Sequence, residues 1–300
     1  MEIELVTECP ICGNHQFDFV LTGKDLLVSQ QLFNIQKCNQ CSLLFTNPRP
    51  TLASIGNFYK SDNYISHSGQ SKNAFDIAYH LARRFTLKWK SQLIKRKKRN
   101  GKLLDYGSGT GEFLLKMKSV GWSVAGVEPS EKAREKANKL FANDDKPIVA
   151  ELDKVGNGSF DAITLWHVLE HVHQLNEVLT HLNHKLNSEG FLFIAVPNYE
   201  SSDAKIYQEN WAAYDLPRHL WHFSRQTMNQ LLTRNGFKII EIVPMKLDAF
   251  YVNLLSEKYK HNGKLTLFTI FKAIRQAIQS NHQAKRAMNY SSLIYIAQHA

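Results

Sequence analysis

Residues 163–173, ITLWHVLEHVH, contain His167, Glu170 and His171 in the order H-x-x-E-H. This order is typical of inverted zinc peptidases, in which two imidazoles one helical turn apart bind the metal. Such a site needs a continuous helix, so that both imidazoles project from one face. Here the motif begins at the end of the apolar run FDAITLW, which predicts a strand. The sequence therefore argues against a zinc peptidase.

A second histidine-rich segment, AAYDLPRHLWHFS at residues 212–224, contains Arg218, His219 and His222. It lies between a predicted strand and a predicted helix, where loops commonly carry chemistry. Imidazole is the side chain best suited to accept a proton near neutral pH. Both histidine segments are therefore candidate site segments, and the structural alternative is that their imidazoles only brace the loops by hydrogen bonds.

The four cysteines of the chain form two C-x-x-C pairs, Cys9 with Cys12 and Cys38 with Cys41. Each pair can offer two thiolates to one tetrahedral zinc ion, which would supply folding energy to a segment with little core of its own. The alternatives are two disulfides, which suit secreted proteins, and a redox C-x-x-C, which would leave the second pair without a role. We predict a structural zinc site in a ribbon-like module over residues 1–50.

Length and charge set outer bounds on the function. The chain has 300 residues, 43% of them hydrophobic, which suffices for one catalytic domain and a small additional module. Its formal net charge of +10 favours anionic partners such as phosphate esters, acidic glycans, nucleic acid or a membrane surface. The sequence shows no charged-then-apolar leader and no apolar run near the roughly 20 residues of a membrane span. We expect a cytoplasmic protein without a transmembrane segment.

Short apolar runs alternate with helical patterns from about residue 100 onward. The series comprises KLLDYGSGTGEFLLKM, WSVAGVEPS, PIVAEL, FDAITLW and GFLFIAVPN, and then FKIIEIV and SSLIYIAQ. Strands that alternate with helices predict a doubly wound parallel α/β sheet, with its ligand at the carboxyl ends of the strands. Before it, over residues 51–99, the sequence predicts an aromatic, turn-rich strap and one long helix from residue 73 to about residue 98.

The glycine loop distinguishes between nucleotide-binding folds. Dinucleotide folds use G-x-G-x-x-G, whereas this loop, DYGSGTG, has the spacing G-x-G-x-G. Together with GVEPS, FDAITLWHVLEHV and LNSEGFLFIAVPN in this order, it resembles the class I S-adenosylmethionine-dependent methyltransferases. The resemblance covers residues 100–300 and implies a Rossmann-like, mostly parallel seven-stranded sheet with a C-terminal antiparallel strand. The segment ending in CSLLFTNPRP resembles the zinc-binding N-terminus of a bacterial subgroup, with Ser42 where a glycine is expected.

The resemblance implies an S-adenosylmethionine site at matching positions. Glu128 would accept hydrogen bonds from both ribose hydroxyls, and Asp105 would hold the glycine loop from its edge. In the loop, small residues would let the methionine part of the cofactor lie against bare backbone; they are Gly107, Ser108, Gly109 and Gly111. The other predicted cofactor contacts are Pro129, Glu151 and Leu152 after the second and third strands, Leu165 and Trp166 beside the sulfonium, and Tyr59 and Tyr64 from the strap.

Methyl transfer to a hydroxyl or an acidic C–H also needs a base beside the acceptor. We predict that His171 or His219 is this base. A catalytic metal is the competing hypothesis, because the small-RNA 3′-end 2′-O-methyltransferases, which are similar here, bind a divalent ion through a Glu/His cluster. Such a site would gather His167, Glu170, His171, His219 and His222, although His167 stands where those enzymes have a carboxylate.

Three classes of function fit the sequence. The first is methylation of a small or medium-sized metabolite, such as a sugar, a lipid or quinone precursor, a secondary metabolite or a glycolipid-type substrate. The second is methylation of RNA or DNA, against which the lack of an [ND]-P-P-[YF] signature after the fourth strand argues. The third is a non-catalytic S-adenosylmethionine-binding protein. We expect a monomer or a homodimer.

A helical insertion is predicted over residues 249–290, within the methyltransferase domain of residues 100–300. Five apolar residues recur there at helical spacing and share one face; they are Leu267, Ile270, Phe271, Ile274 and Ile278. Such a face could dock on a membrane or a lipid-like substrate. We expect instead that it packs on its own domain or on a second subunit.

Overall fold

The computed structural model of the chain describes residues 2–59, 74–141, 146–155 and 160–300. Tyr64, one of the predicted cofactor contacts, lies outside these ranges. Across the described ranges, each helix is too short or too polar to cross a membrane.

The N-terminal region is built from five short strands. They are β1 (Ile3–Glu4), β2 (Phe17–Lys24), β3 (Leu32–Cys38), β4 (Leu44–Thr46) and β5 (Arg49–Pro50). β1 pairs with β5, and β2, β3 and β4 form an antiparallel sheet. The two cysteine turns lie on either side of the β2–β3 hairpin, which brings all four cysteines together.

The rest of the chain surrounds a seven-stranded sheet. Its strands are β6 (Lys102–Tyr106), β7 (Ser123–Val127), β8 (Ile148–Val149), β9 (Phe160–Trp166), β10 (Leu186–Pro197), β12 (Phe237–Pro244) and β13 (Ser292–His299), while β11 (Trp221–His222) belongs elsewhere. The spatial order is β12-β13-β10-β9-β6-β7-β8, and only β13 runs antiparallel to its neighbours. The predicted fold class is confirmed. The third strand is shorter than its sequence suggested, because only Ile148 and Val149 pair with β7.

Within the described residues, eight α-helices surround the sheet. They are α1 (Ala74–Lys97), α2 (Glu112–Lys118), α3 (Glu131–Asn138), α4 (Leu175–Lys185), α5 (Ser202–Tyr207), α6 (Arg225–Arg234), α7 (Asp248–Lys260) and α8 (Leu267–Ala287). Because helices lie on both faces, the central strands β9 and β10 are apolar in continuous runs rather than in alternation. Ser130 caps α3, since its Oγ accepts a hydrogen bond from the Ala133 amide.

The N-terminal sheet takes its edge strand from the second histidine segment. β11 pairs antiparallel with β4, with Trp221 opposite Phe45. Thr46 adds two contacts to this segment: its amide donates to the Leu220 carbonyl oxygen, and its hydroxyl donates to that of His219 at 2.7 Å. The division into residues 1–50, 51–99 and 100–300 stays a prediction, but the first and last of these segments share one sheet.

Buried hydrogen bonds of Arg218 connect the N-terminal region to the rest of the chain. Its guanidinium is almost completely buried and donates to Asp215, Asp25, the Phe58 carbonyl oxygen and the Leu216 carbonyl oxygen. Those bonds use every nitrogen of the fork, which leaves Arg218 no donor for a ligand. Asp25 is also buried and accepts from three backbone amides of its own turn. Arg218 is therefore a structural residue of the site.

The helical insertion is present as α7 and α8, but α8 buries the face opposite to the predicted one. The residues that α8 buries against the protein are small ones, Thr269, Ala273, Ala277, Ser280 and Ala284. The large apolar residues Leu267, Phe271, Ile274 and Ile278 are exposed. The expectation that this face packs on its own domain is wrong, because small side chains let α8 lie closer to α7 than large ones would. Its packing on a second subunit stays a prediction.

Candidate active site

The glycine loop connects β6 to α2 at the carboxyl edge of the sheet. Gly107, Gly109 and Gly111 all have positive φ angles, which side chains with a Cβ rarely adopt. At Gly107 a Cβ would lie 2.4 Å from the Val168 side chain, so the loop touches the segment after β9 directly. At Gly109 a Cβ would meet nothing within 4 Å. The loop thus combines tight contacts at Gly107 and Gly111 with open space at Gly109.

Glu128, at the end of β7, is oriented by the glycine loop. Its carboxylate accepts hydrogen bonds from the Gly109 amide at 2.8 Å and from the Ser130 amide at 2.9 Å. The Gly107 and Ser108 amides donate to the Val127 carbonyl oxygen and hold the loop against the same strand end. A carboxylate beside bare backbone, at the end of a parallel strand, fits a ligand that carries a diol.

The other predicted cofactor residues fall into three environments. Asp105 is buried on β6 and accepts a hydrogen bond from the Thr164 hydroxyl at 2.6 Å, so its partner is β9 rather than the loop. Burial raises the pKa of Asp105 to about 7. Leu152 and Leu165 are buried, and Trp166 is half-buried with its ring edge-on to Phe113. Pro129 and Glu151 are exposed.

The first histidine segment does not form a continuous helix. β9 ends at Trp166, His167 has a φ of 57°, and a single 3-10 turn follows over Leu169–His171. The left-handed backbone at His167 turns the chain. Residues other than glycine and asparagine rarely adopt this conformation. The geometry required of an inverted zinc peptidase is therefore missing from this segment.

His167 forms an ion-paired dyad with a residue from the insertion. Its Nε2 lies 2.9 Å from the Asp248 carboxylate, and its Nδ1 lies 3.4 Å from that of Glu170. Burial lowers the pKa of His167, but the attraction of the two carboxylates outweighs burial and raises it to about 9. His167 is thus a cation at neutral pH, which makes it a poor proton acceptor.

His171 and His219 meet edge to face, with ring centroids 4.6 Å apart. His219 Nδ1 lies 2.8 Å from the Ala213 carbonyl oxygen, and His171 Nδ1 lies 2.9 Å from that of Arg218. A carbonyl oxygen only accepts, so the neutral tautomer that fits each ring has its proton on Nδ1 and a lone pair on Nε2. Tyr59 joins this group, since its hydroxyl lies 3.0 Å from His171 Nδ1. Burial lowers the pKa of His171 to about 4.

Glu170 lies close to these two rings and is almost completely buried. Neither of its carboxylate oxygens has a hydrogen bond of good geometry to a described residue. Burial acts to raise the pKa of Glu170, but His167, His219 and His171 outweigh it and lower the pKa. The ligand atoms of Glu170, His171 and His219 lie within 4.8 Å of one another, so these three residues could also hold a metal ion. His222 is apart from them, with its Nε2 3.4 Å from the Thr46 hydroxyl.

A cleft of about 1000 Å³ opens beside this group. Its lining includes His167 and His219, whereas His171 is not among the described residues that line it. Three elements form its walls: the β2–β3 hairpin, the loop of residues 209–219, and α7. A volume of this order suits a drug-sized or somewhat larger ligand.

The four cysteines form a second cluster, away from the cleft. Cys9 Sγ lies 3.4 Å from Cys41 Sγ, Cys12 Sγ lies 3.4 Å from Cys38 Sγ, and all four sulfurs lie within 4.8 Å of one another. None of them forms a disulfide. After the second turn, Ser42 has a φ of 67°, in the conformation that Gly13 adopts after the first turn. Ser42 therefore takes the backbone geometry of the glycine expected there.

Sequence patterns did not identify three features of the site. Asp248 follows no motif, and only the fold brings it to His167. The hairpin wall of the cleft comes from the module that was predicted only to bind zinc. The buried pair Asp25–Arg218 joins positions 193 residues apart. No signal in the local sequence could have indicated these contacts, since each depends on tertiary pairing.

Comparison with known families matches residues 78–242 to a family described as "Methyltransferase domain". An uncharacterized methyltransferase from Alkaliphilus oremlandii (strain OhILAs) is 29% identical over 116 residues, which are 36% of this chain and 51% of that protein. The chain thus spans about half the length of this curated relative.

Solved structures share the fold at low sequence identity. Magnesium protoporphyrin IX methyltransferase from Synechocystis PCC 6803, with bound SAH, is 15% identical, with a TM-score of 0.52 over 82% of this chain and 98% of that one. The O-methyltransferase from the trans-AT PKS multienzyme of Brevibacillus brevis, in complex with S-adenosyl-L-homocysteine, is 16% identical, with a TM-score of 0.50 over 75% and 76%. At these identities the similarity concerns the fold.

Proposed function

We propose, from the premise that this chain belongs to the methyltransferase-domain family, that it transfers the methyl group of S-adenosylmethionine to a small or medium-sized metabolite. The acceptor atom would be a hydroxyl oxygen or an activated carbon, in a sugar, a lipid or quinone precursor, or a secondary metabolite. One observation carries this proposal: His167 lines the 1000 Å³ cleft, while the adjacent Val168 touches Gly107 of the glycine loop. One short segment thus separates a donor site from an acceptor site.

On the donor side, the residues fit the cofactor. The glycine loop offers open backbone at Gly109, and Glu128 is held there by two backbone amides, with its remaining lone pairs free to meet ribose hydroxyls. Ser108, Gly111, Asp105, Pro129, Glu151, Leu152, Leu165, Trp166, Tyr59 and Tyr64 remain proposed contacts of the same ligand. The sulfonium of the cofactor supplies an activated methyl group.

On the acceptor side, the protein's task is to orient the acceptor and remove its proton. Methyl transfer is an in-line displacement: the bond from the acceptor to the methyl carbon forms as the carbon–sulfur bond breaks, and the electron pair stays on sulfur. We assign the proton to His219 Nε2, because His219 lines the cleft and its Nδ1–H is fixed by the Ala213 carbonyl oxygen. His171 would position His219 by ring contact.

Cofactor affinity and turnover can be tested separately. We expect S-adenosylhomocysteine to bind in calorimetry, and we expect a pool of nucleotide sugars, polyprenols, quinone precursors and phenols to yield at least one product labelled from S-[methyl-¹⁴C]adenosylmethionine. Binding without any labelled product would favour a non-catalytic role. Absence of S-adenosylhomocysteine binding would contradict the proposal.

Replacing Glu128 with glutamine is expected to weaken cofactor binding about 10- to 100-fold. The glutamine side chain cannot accept hydrogen bonds from two backbone amides and a diol at once, because its nitrogen is a donor and only its oxygen accepts. The dissociation constant of S-adenosylhomocysteine measures the effect. Glu131→Gln is the matched control, since it removes an exposed carboxylate three residues away, at the start of α3. Equal effects from both substitutions would contradict the role of Glu128.

Replacing His167 with asparagine is expected to change how stability depends on pH. The folded protein holds the His167 proton up to a pKa of about 9, above the 6.5 of a free imidazole, so this stabilisation is complete below pH 6.5 and lost as the pH rises through 9. Asparagine tolerates the left-handed backbone but does not ionise.

The measurement is urea unfolding of both proteins at several pH values. We expect the difference in their free energies of unfolding to shrink steadily from pH 6.5 to above pH 9. His184→Asn, on the exposed side of α4, is the control and should leave the pH profile unchanged. A constant difference between His167→Asn and the natural protein would show that His167 holds no extra proton.

For the cysteine cluster we propose one structural zinc ion. Four sulfurs within 4.8 Å of one another fit tetrahedral coordination, in which zinc–sulfur bonds are about 2.3 Å long. The ion supplies no chemistry to methyl transfer. A catalytic metal at Glu170, His171 and His219 is the alternative to a metal-free base, and metal analysis separates the two: one zinc per chain fits the base, and a second ion fits the metal.

A further inference from the structure

The outward face of α8 is apolar. Leu267 is 88% exposed, Phe268 73%, Phe271 65%, Ile278 57% and Ile274 45%. Four of these positions, 267, 271, 274 and 278, recur at helical spacing and form one continuous stripe. Single exposed apolar residues are common on proteins, but a continuous stripe marks an interaction surface. We call these five residues the apolar stripe.

The orientation of α8 is fixed by its other face. Thr269, Ala273 and Ala277 are buried there, and the Ser280 hydroxyl donates to the Asp203 carboxylate at 3.0 Å. Lys272 reaches Glu257 of α7, which is fully buried, at 3.0 Å. Rotation of the helix would bury large side chains where small ones fit and would break both polar contacts. The packing of the buried face therefore holds the apolar stripe toward solvent.

The segment around the stripe carries charge of one sign. Residues 258–300 contain no Asp or Glu, but they contain Lys258, Lys260, Lys264, Lys272, Arg275, Lys285 and Arg286. Lys264, Arg275, Lys285 and Arg286 are exposed. Lys264 precedes the stripe, Arg275 lies within its length, and Lys285 and Arg286 follow it. The stripe is thus bordered by cations from end to end.

This pattern of charge discriminates between occupants of the stripe. A second copy of the chain, related by a twofold axis, would place these cations against the same cations. An amphipathic helix with aromatic and aliphatic residues on one side and Lys/Arg around them is the arrangement that lies in the interface of an anionic bilayer. We infer that the apolar stripe of α8 docks on an anionic lipid surface, with the surrounding Lys and Arg side chains against lipid phosphates.

Docking would place the cleft beside the lipid. Lys258, in the last turn of α7, and Asn262 and Gly263, in the connection between α7 and α8, line the cleft. A protein held by α8 would therefore present its cleft to the headgroups of membrane-embedded amphiphiles. This consequence, that the acceptor is such a headgroup, rests on the proposed function, whereas the docking itself does not.

Vesicle flotation with the full chain tests the docking without any methyl transfer. We expect the protein to float with vesicles of phosphatidylcholine and phosphatidylglycerol and not with phosphatidylcholine alone. Each Lys or Arg near an anionic surface is worth about a fivefold change in partitioning, so Arg275→Gln/Lys285→Gln should lower binding about 25-fold. Leu267→Gln/Phe271→Gln should lower it at least about tenfold, because two exposed apolar side chains leave the interface.

Matched controls remove the same chemistry elsewhere. Lys136→Gln/Lys139→Gln takes two exposed cations from the end of α3, and Phe85→Gln takes an exposed aromatic ring from α1. Both should float like the natural protein, and all variants should keep their affinity for S-adenosylhomocysteine, so a failed docking is distinguishable from a failed cofactor site. Lack of flotation by the natural protein would overturn the inference. So would dimerisation in sedimentation analysis that Leu267→Gln/Phe271→Gln abolishes.

Discussion

Replacing His219 with asparagine is expected to lower kcat about 10²- to 10⁴-fold, the usual contribution of a positioned general base. The asparagine amide can reproduce the Nδ1–H bond to the Ala213 carbonyl oxygen, which is 2.8 Å long in the natural protein. It cannot reproduce the Nε2 lone pair, which is the proton acceptor in the proposed mechanism. The substitution therefore removes the proton acceptor while it keeps the loop anchored. Initial rates with the acceptor found in the labelled-product screen measure the effect.

His171→Asn is the matched comparison, because His171 has the same Nδ1 bond to a backbone carbonyl, from Arg218, but does not line the cleft. Burial already holds the pKa of His171 near 4, so it takes up a proton poorly at neutral pH. We expect its loss to cost less than about tenfold in kcat, through the position of His219. The affinity for S-adenosylhomocysteine should stay unchanged in both variants. A larger loss from His171→Asn than from His219→Asn would contradict the assignment of the base.

The sequence predicted the parts of this protein that local rules determine. The glycine spacing and the alternation of strands with helices both act over a few residues, and each is present in the structure. The local sequence also predicted that the H-x-x-E-H motif lies outside a continuous helix. The apolar run of β9 extends up to His167, so no helical turn precedes the first histidine. These rules sufficed for the sheet and for the glycine loop.

Tertiary contacts set the limit of such prediction. Local patterns do not show that Trp221 and His222 pair with β4, or that Asp25 neutralises Arg218, because both contacts join segments that are far apart in the sequence. The orientation of α8 illustrates a different limit. Its sequence carries two stripes, one of large apolar residues and one of small residues, and the hydrophobic pattern favoured burial of the large ones. Close packing against α7 buried the small ones instead.

The cysteine cluster is connected by packing and hydrogen bonds to the helices of the main sheet. Cys9, Cys38 and Cys41 belong to the same buried core as Leu179 and Leu231, which lie on helices of the main sheet. Two side chains of those helices hold the first cysteine turn: Asn176 donates to the Pro10 carbonyl oxygen, and Arg234 to that of Ile11. From the second turn, β4 leads to Thr46, whose hydroxyl donates to the His219 carbonyl oxygen. Loss of order at the cysteines would therefore disturb both the core and the proposed base.

Replacing Cys41 with serine is expected to abolish zinc binding and to lower Tm by more than about 10 °C, because structural zinc contributes about 10–16 kcal/mol in small zinc domains while whole domains are stable by about 5–15 kcal/mol. Mass spectrometry of the metal content and differential scanning calorimetry measure the two effects. Gln40→Ser, an exposed neighbour in the same turn, should change neither. Two intact disulfides in the purified natural protein, or full stability after chelation, would contradict the zinc proposal. Because Thr46 links this module to His219, we expect methyl transfer by Cys41→Ser to fall more steeply than S-adenosylhomocysteine binding.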